Sequence, residues 1–326
     1  MANGIGRLRK IGIAAQSTFG TAAPSATYVL PLTNAPVVNT MVNRVNNTAS
    51  LGSSYQVNDM LSTTRMAEVP LEFKVDENQL PLVFKQRFSI ASVTATTTGV
   101  YKHTLSYSDN TNCWYTIFMQ DDNLQDYVVK DALLDNLDFT LDQDFVRVTA
   151  NAIGAFPTQT NVVLTVTQPQ EFVGRMVSFL QEDFGTAVTS TNILSGSLTF
   201  DFGINSEDSR YALGSIDAAV LRLTSDIYKL SVTKLKDDVS FYDDYVANTT
   251  KVLQLKIQST DRWVGSGTLT RPLIQVDIPQ AKIDTYTDEP DLEELTRETI
   301  SLTALKQNGT ANAPLALTIY NATASY

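Results

Sequence analysis

The side chains that most often carry catalysis or bind metals are scarce in this sequence. Of its 326 residues, one is histidine, His103, and one is cysteine, Cys113. A catalytic triad needs a histidine base beside a nucleophile, and most zinc sites need several Cys or His ligands. His103 has no second histidine to work with, and Cys113 beside Trp114 is typical of a small buried hydrophobe. We therefore expect no enzymatic activity and no cofactor.

Three further motifs could bind a ligand, but their spacing argues against it. Asp121, Asp122 and Asp126 lack the glycine and closing glutamate of a calcium-binding EF-hand loop, so we expect a solvated hairpin turn. The segment 265–267, Gly-Ser-Gly, lacks the sequence of a phosphate-binding loop and indicates a hairpin turn. The acidic segment 288–295 predicts one helical turn, either solvated or facing a basic patch on a neighbouring subunit.

The charge and composition exclude several classes of protein. The 24 Lys and Arg residues against 35 Asp and Glu give a formal charge of −11, which argues against a surface that grips phosphates. The content of 43% hydrophobic and 18% charged residues excludes global disorder. A single cysteine excludes a disulfide-rich scaffold. The N-terminal basic residues Arg7, Arg9 and Lys10 precede only a short apolar run, so we expect no signal peptide, no membrane insertion and synthesis in the cytoplasm.

The pattern of side chains predicts an all-β fold with a few short helices. There are 40 Thr residues, and segments with a period of two recur, both typical of half-buried strands. Helices are predicted at 77–87, with Asp76 as N-cap and Pro81 making the helix short or kinked, and at 237–248. A tight turn is predicted at 142–144. The predicted strands cover residues 66–75, 101–107, 114–119, 133–141, 146–152, 194–202, 220–232, 252–259, 272–278 and 299–305.

The order of predicted elements is the same in the two halves of the chain. Each half runs through a strand, a short helix, another strand and a closing pair of strands, although residue identity between the halves is low. The polar segment 157–170, with Pro157 and Pro169 near its ends, is the predicted join. We therefore predict two tandem domains, residues 1–160 and 161–326, each a β-sandwich or barrel with a flanking short helix and a long β-hairpin arm.

Two long polar segments, 39–64 and 206–219, occupy matching places in the two halves. A polar loop of this size in a compact β domain is usually disordered or functional. Main-chain hydrogen bonds along the sheet edge of a neighbouring subunit would order such a segment without apolar side chains. We predict inter-subunit arms here, and the candidate residues are Asn43, Arg44, Leu51, Tyr55, Met60, Arg65, Glu207, Arg210 and Tyr211.

An ordered set of short motifs resembles one protein family. The start of the chain, 11–24, reads IGIAAQSTFGTAAP and leads into 28–31, YVLP. Near the end, 271–283 reads RPLIQVDIPQAKI and is followed by 299–305, TISLTAL. These segments resemble the first strand, the turn and the closing hairpin of the major tail tube proteins of long, non-contractile-tailed bacteriophages.

The resemblance implies a structural virion protein of the phage tail. Six tube domains of this family form a ring around a lumen, and the rings stack into a hollow tube for DNA. Two fused domains imply homotrimeric rings with pseudo-sixfold symmetry, carrying 3 × (−11) = −33 formal charges. The implied partners are other copies of the chain, the tape measure protein inside the tube, phage DNA during ejection, and the tail terminator and distal tail proteins.

An acidic lumen would let DNA slide without adhering, because phosphates would meet like charge. The candidate lumen residues come from the polar sides of the closing hairpins; ordinary solvent-facing strand positions are the competing interpretation. They are Asn136, Asp138, Thr140 and Asp142 in the first half, and Gln275, Asp277, Thr299 and Ser301 in the second.

Two other functions fit an all-β chain. One is a two-domain β-sandwich binding module, such as an adhesin or a carbohydrate-binding virion protein. That class usually shows aromatic platforms, and this chain has two Trp residues, Trp114 and Trp263. The other is a hydrolase on a β scaffold, against which the single histidine argues.

Overall fold

The computed structural model describes residues 9–48, 59–97, 99–108, 113–122, 124–166, 171–183, 186–189, 193–205, 209–237, 239–264, 270–290, 295–306 and 313–326. The chain is nearly all β, with 58% of residues in strands and 6% in helices. The predicted fold class, all-β with a few short helices, is confirmed. The regular alternation of apolar and polar side chains explains it, since successive residues of a strand point to opposite faces.

The described elements of the first half run from β1 to β10. They are β1 (Arg9–Ala15), β2 (Tyr28–Val29), β3 (Asn39–Asn47), β4 (Asp59–Lys74), α1 (Leu80–Phe84), β5 (Phe88–Thr97), β6 (Val100–Tyr107), β7 (Tyr115–Asp121), β8 (Tyr127–Leu141), β9 (Arg147–Gly154) and β10 (Thr158–Gln159).

The described elements of the second half follow a 3₁₀ turn at Gly174–Met176. They are β11 (Val177–Asp183), β12 (Thr186–Thr189), β13 (Ile193–Ile204), β14 (Leu223–Leu235), α2 (Ser240–Ala247), β15 (Lys251–Gln258), β16 (Leu273–Glu289), β17 (Arg297–Ala304) and β18 (Ala316–Asn321).

One antiparallel sheet runs through both halves, and we call it the long sheet. Its strand order is β3-β4-β9-β8-β13-β14-β17-β16. Along β8, Leu137 and Phe139 are buried, whereas Asp138 and Thr140 point the opposite way. The long sheet therefore has one face on the core and one face of polar side chains, which we call the polar face.

The two longest closing strands pass out of the long sheet into a second group of strands. The first part of β8 pairs with β7 and β10, and β7 continues to β1 and β2. The first part of β16 pairs with β15 and β18, which continue to β11 and β12 and to β6 and β5. Buried side chains from both groups form one apolar cluster that includes residues of both halves. The division into domains 1–160 and 161–326 stays a prediction.

Both helices are shorter than predicted. Helix α1 holds five residues and begins beside Pro81, which lies in its first turn, where a missing N–H costs no hydrogen bond. The prediction of Asp76 as N-cap is wrong, because the helix begins later and Gln79 is its N-cap; Asp76 instead accepts the backbone N–H of Asn78 at 2.7 Å in the turn before the helix. Helix α2 ends at Asn248, which takes the left-handed conformation (φ 55°) that asparagine tolerates. Within the described residues, neither helix has the length and hydropathy to span a membrane.

The strand predictions hold best where the alternation is strict. The turn predicted at 142–144 is confirmed, since β8 ends at Leu141 and β9 begins at Arg147. The helical turn predicted from Asp288 is wrong at its start: β16 continues through Glu289, because that residue pairs with Arg297 of β17. Residues 291–294 of that segment and the Gly-Ser-Gly turn at 265–267 lie outside the described residues.

An aromatic cluster lies on the core face where the two halves meet. Phe84 of α1 stacks on Phe139 of β8 at 5.9 Å between ring centroids. Phe200 of β13 lies 5.1 Å from Phe84 and 5.7 Å from Phe139. Tyr228 of β14 covers Phe200 at 5.4 Å. Phe200 is fully buried, so one second-half side chain completes the core around the first-half helix.

Replacing Phe200 with Ala should destabilise the protein by about 3–5 kcal/mol, because a buried ring leaves a cavity that its neighbours fill only in part. The free energy of unfolding in urea measures this. Thr199→Ala, next to it on the polar face, is the matched control and should change the stability by less than about 0.5 kcal/mol. Equal effects of the two substitutions would contradict the burial of Phe200.

Candidate assembly surface

Direct strand pairing joins the two halves of the chain. β8 lies antiparallel to β13 from Asn136 to Leu141, with Leu137 opposite Phe200 and Asp138 opposite Thr199. The pairing satisfies the backbone groups of an edge of β8 that would otherwise be exposed. We call this contact the half-to-half junction.

A buried ion pair fixes the same junction. Arg87 Nε lies 2.6 Å from Asp226 Oδ2, and the two side chains are 6% and 3% exposed. Tyr107 donates its hydroxyl to the same carboxylate oxygen at 2.7 Å. Burial opposes the charge on Arg87, but its hydrogen bond to Asp226 and the charge of that carboxylate raise the pKa of Arg87. Because an uncompensated buried charge costs about 3–5 kcal/mol, this pair restricts how the halves can pack.

The segment 209–221 of the second half lies against the first half. Arg65 of β4 donates two hydrogen bonds to Asp217, at 2.6 and 2.9 Å. Trp114 donates its indole N–H to the carbonyl of Leu221 at 2.8 Å, and Leu221 is 3% exposed. The connection that leads into β14 therefore anchors one half on the other.

The two halves repeat each other down to their β-bulges. In β8 the register against β9 shifts between Leu134 and Asn136, and in β16 the register against β17 shifts between Ile283 and Thr285. When β8 and β16 are aligned at these two shifts, Leu134 corresponds to Ile283 and Asn136 corresponds to Thr285. The spacing across the shift is the same in both strands. Bulges are designed features of a strand, so a shared bulge is a strong sign of structural equivalence.

Further register shifts match in the same way. The shift in β3 after Asn43 corresponds to the shift in β13 after Gly203. Their partners at these points, Thr64 of β4 and Ser225 of β14, correspond as well. The shift of β7 against β8 likewise recurs between β15 and β16. The long sheet is thus two copies of the four-stranded unit β3-β4-β9-β8.

The repeat leaves two edges of the long sheet open. The last part of β16, from Thr285 to Glu289, is the counterpart of the part of β8 that binds β13, but among the described strands it pairs only with β17. At the other end, β3 is the counterpart of β13 and pairs only with β4 among them. Side chains along both edges are exposed, including Met41 at 44%. The chain therefore carries both partners of a half-to-half junction, one at each end.

Helix α2 differs from α1 in what covers it. All residues of α1 are buried, partly under Phe200 of the other half. On α2, Phe241 is buried, whereas Tyr242, Tyr245 and Val246 are 49%, 41% and 65% exposed. The two tyrosines pack on Tyr286, which lies on the open part of β16. An apolar surface thus adjoins the open edge.

The structure brings most of the predicted lumen residues together. Asn136, Asp138 and Thr140 on β8 and Thr299 and Ser301 on β17 lie on the polar face of the long sheet. Asp142 follows β8 and pairs with Arg147 at 3.1 Å. Gln275 and Asp277 lie elsewhere, in the first part of β16 between β15 and β18, where Gln275 donates to Asp277.

The predicted arm residues that the structure describes fall into two groups. Residues 39–47 and 59 onward form the hairpin β3–β4, which carries Asn43, Arg44, Met60 and Arg65. Arg210 donates to the carbonyl of Asn205 at 2.6 Å, and Tyr211 follows it in the segment beside the first half. Leu51, Tyr55 and Glu207 lie outside the described residues.

An acidic cluster lies on the long sheet at the junction. Asp135 occupies the bulge of β8, and Asp138, Glu68 and Asp201 lie on the strands around it. Burial, and then the charge of Asp201, raise the pKa of Asp135, while Arg210 and a backbone hydrogen bond act in the opposite direction. The junction therefore carries negative charge at a partly buried position.

His103 and Asp121 both make structural contacts. His103 is buried, and its Nε2 lies 3.0 Å from Asn321 Oδ1 and 2.8 Å from the carbonyl of Thr323. Asp121 binds Arg9 at 2.8 Å. Among the described residues, no three His, Cys, Asp or Glu side chains group together as metal ligands would.

The residues of the junction that the sequence did not single out are Phe200, Asp201, Arg87 and Asp226. Their separation by up to 139 positions in the chain hides them from local patterns. No protein-family model and no curated protein matches this sequence. The repeat and its open edges are therefore the features that bear on function.

Asp135→Asn should stabilise the protein at pH 7 and change it little at pH 3. The folded protein holds the Asp135 proton more tightly than the unfolded chain does, because its pKa is raised. The wild-type protein therefore loses stability as the pH rises from the ordinary pKa of Asp through the raised pKa of Asp135. The amide side chain of the variant does not ionise, so the variant does not lose this stability. Thermal unfolding midpoints of both proteins from pH 3 to 8 measure it; parallel curves would contradict the assignment.

Proposed function

We propose that this chain is a structural subunit that assembles head to tail into rings, and that the rings stack into a hollow tube of the phage tail type. The repeat of the half-to-half junction carries the proposal. One end of the chain presents the counterpart of β8, and the other end presents the counterpart of β13. A contact between two different patches generates rings when its rotation closes and filaments when it does not.

The strand directions are compatible with closure. All neighbours in the long sheet are antiparallel, so β16 at one end and β3 at the other run in opposite directions. A second copy can therefore continue the sheet without a change of pattern. A closed barrel removes every strand edge, which is the most complete protection against uncontrolled pairing.

A ring of three chains gives a lumen of suitable width for DNA. Three copies of the eight-stranded long sheet would place 24 strands side by side. At about 4.8 Å per strand, the circumference is about 115 Å and the diameter at least about 37 Å before strand tilt widens it. The resemblance of residues 11–24 and 271–283 to the tail tube family supports the same trimeric ring.

The polar face has the composition expected of a conducting surface. Its hydroxyl and amide side chains alternate with carboxylates, and several of its cations are already paired, as in Arg147 with Asp142 and Lys74 with Glu171. Asp138 and Asp201 lie on adjacent strands of it. DNA phosphates would meet few free cations, so contact with the wall would be weak. In this proposal the tube conducts DNA, with the tape measure protein as its earlier occupant.

Purified protein should form rings or tubes with a central channel under negative stain. Class averages of end-on views would give the symmetry, and threefold symmetry is the expected result. A strictly monomeric protein at all concentrations, with binding to a glycan array, would overturn the proposal and favour a carbohydrate-binding module.

Assembled tubes should retain DNA only after the polar face is made basic. Wild-type tubes sedimented with a short duplex at physiological salt should leave it in solution, whereas Asp138→Lys/Asp201→Lys tubes should bind it and release it as salt is raised. Asp277→Lys is the matched control because Asp277 lies outside the long sheet. Binding by the control alone would place the lumen elsewhere.

A further inference from the structure

We infer that the open edge of β16, residues 285–289, binds residues 37–41 of a second copy in the register of the half-to-half junction. The inference rests on the proposed function and adds the pairing of individual residues. It follows from the repeat, because the strands that meet at the junction have counterparts at the two open edges.

The shared bulges fix the register of the inferred contact, because they align each strand of one half with its counterpart in the other half residue by residue. Counted from the bulges, Asp138 of β8 matches Thr287 of β16, and Thr199 of β13 matches Asn39 of β3. Since Asp138 faces Thr199 at the junction, Thr287 should face Asn39 of the second copy. The neighbouring pairs are then Tyr286 with Thr40 and Thr285 with Met41. A slip of one residue would turn every side chain to the wrong face, so the core below the sheet protects this register.

The two edges have the exposure and direction that such pairing needs. Thr285, Thr287 and Glu289 are exposed, as are Asn39 and Met41. β15 pairs with this side of β16 only as far as Ala281, and no other described strand pairs with the following residues on that side. The side chains of Thr287 and Asn39 would then continue the polar face from one copy to the next.

The hairpin β3–β4 supplies a second contact for the same partner. Met60 is 56% exposed, and counting from the matched bulges of β4 and β14 makes it the counterpart of Leu221, which is 3% exposed. Leu221 is buried because it lies on the other half of its own chain, beside Trp114. On a second copy Met60 would occupy the equivalent place. The contact thus gives a role to Met60, one of four exposed apolar residues of this hairpin with Met41, Val45 and Leu61.

The inferred contact between copies is less apolar than the junction inside the chain. Phe139 of the junction corresponds to Asp288, which binds Lys236 at 2.5 Å, and Phe200 corresponds to Thr40. The exposed tyrosines of α2 lie beside Tyr286 and supply the apolar area that remains. A carboxylate and a hydroxyl in place of two buried phenylalanines mean less buried apolar surface, so copies should separate more easily than the two halves do.

Disulfide cross-linking tests the register in the full-length chain. The double variant Thr287→Cys/Asn39→Cys, with the buried Cys113 kept, should form intermolecular disulfides on mild oxidation, visible as dimers and trimers on non-reducing gels. Thr287→Cys/Asn43→Cys is the matched control: Asn43 lies on the same strand and face, but about 13 Å further along it. The control should give at least tenfold less cross-linked product.

Microscopy of the same samples separates the register from the tube function. Rings with efficient cross-linking of the first pair alone support the inferred register. Rings in which neither pair cross-links, or in which the control pair does, overturn the register and leave the tube function standing. Absence of rings in the wild-type protein at any concentration overturns the proposed function and the register together.

Discussion

The hydrogen-bonding demand of a strand edge is the constraint on which this structure depends. A strand paired on one side leaves half of its backbone N–H and C=O groups facing outward, and proteins cover or disrupt such edges. Inside the chain, β13 pairs with the edge of β8. The buried Arg87–Asp226 ion pair and the aromatic cluster around Phe200 stabilise this pairing. At the ends of the long sheet the same edges recur without a cover among the described strands. The proposed tube satisfies the constraint by adding copies.

The same sheet also separates two environments. Its core face is apolar and continuous across both halves, while its polar face carries hydroxyls, amides and carboxylates. Since successive residues of each strand serve the two faces in turn, one alternating sequence specifies both the stability of the wall and the chemistry of the proposed channel. The acidic balance of the chain thus has a place to act that does not weaken the core.

The sequence predicts the local part of this fold well and the long-range part poorly. Strict alternation located β8, β9 and β17, and Pro81 signalled the short α1. The pairing of β8 with β13 was not predicted, because a local sequence pattern does not indicate which strand pairs with a given sheet edge. Asp288 and Glu289 suggested a helical turn, but pairing with β17 overrides that preference. Asn136 and Asp138 could be assigned to the polar face from the alternation within β8 alone. Asp201 could not, because its place beside them depends on the pairing of β13 with β8.

For the proposed ring, the fusion of two repeated units in one chain changes how assembly depends on protein concentration. A junction between tethered halves forms at an effective concentration set by the tether and does not depend on how much protein is present. Only alternate junctions of a ring are then subject to mass action and to the loss of translational entropy on association. In the proposed ring three chains would supply the six units, so the amount of ring at equilibrium would depend on the third power of the free chain concentration. The amount of closed ring would therefore rise steeply with chain concentration, but less steeply than for six separate units. Each chain would join the ring with one of its interfaces already formed.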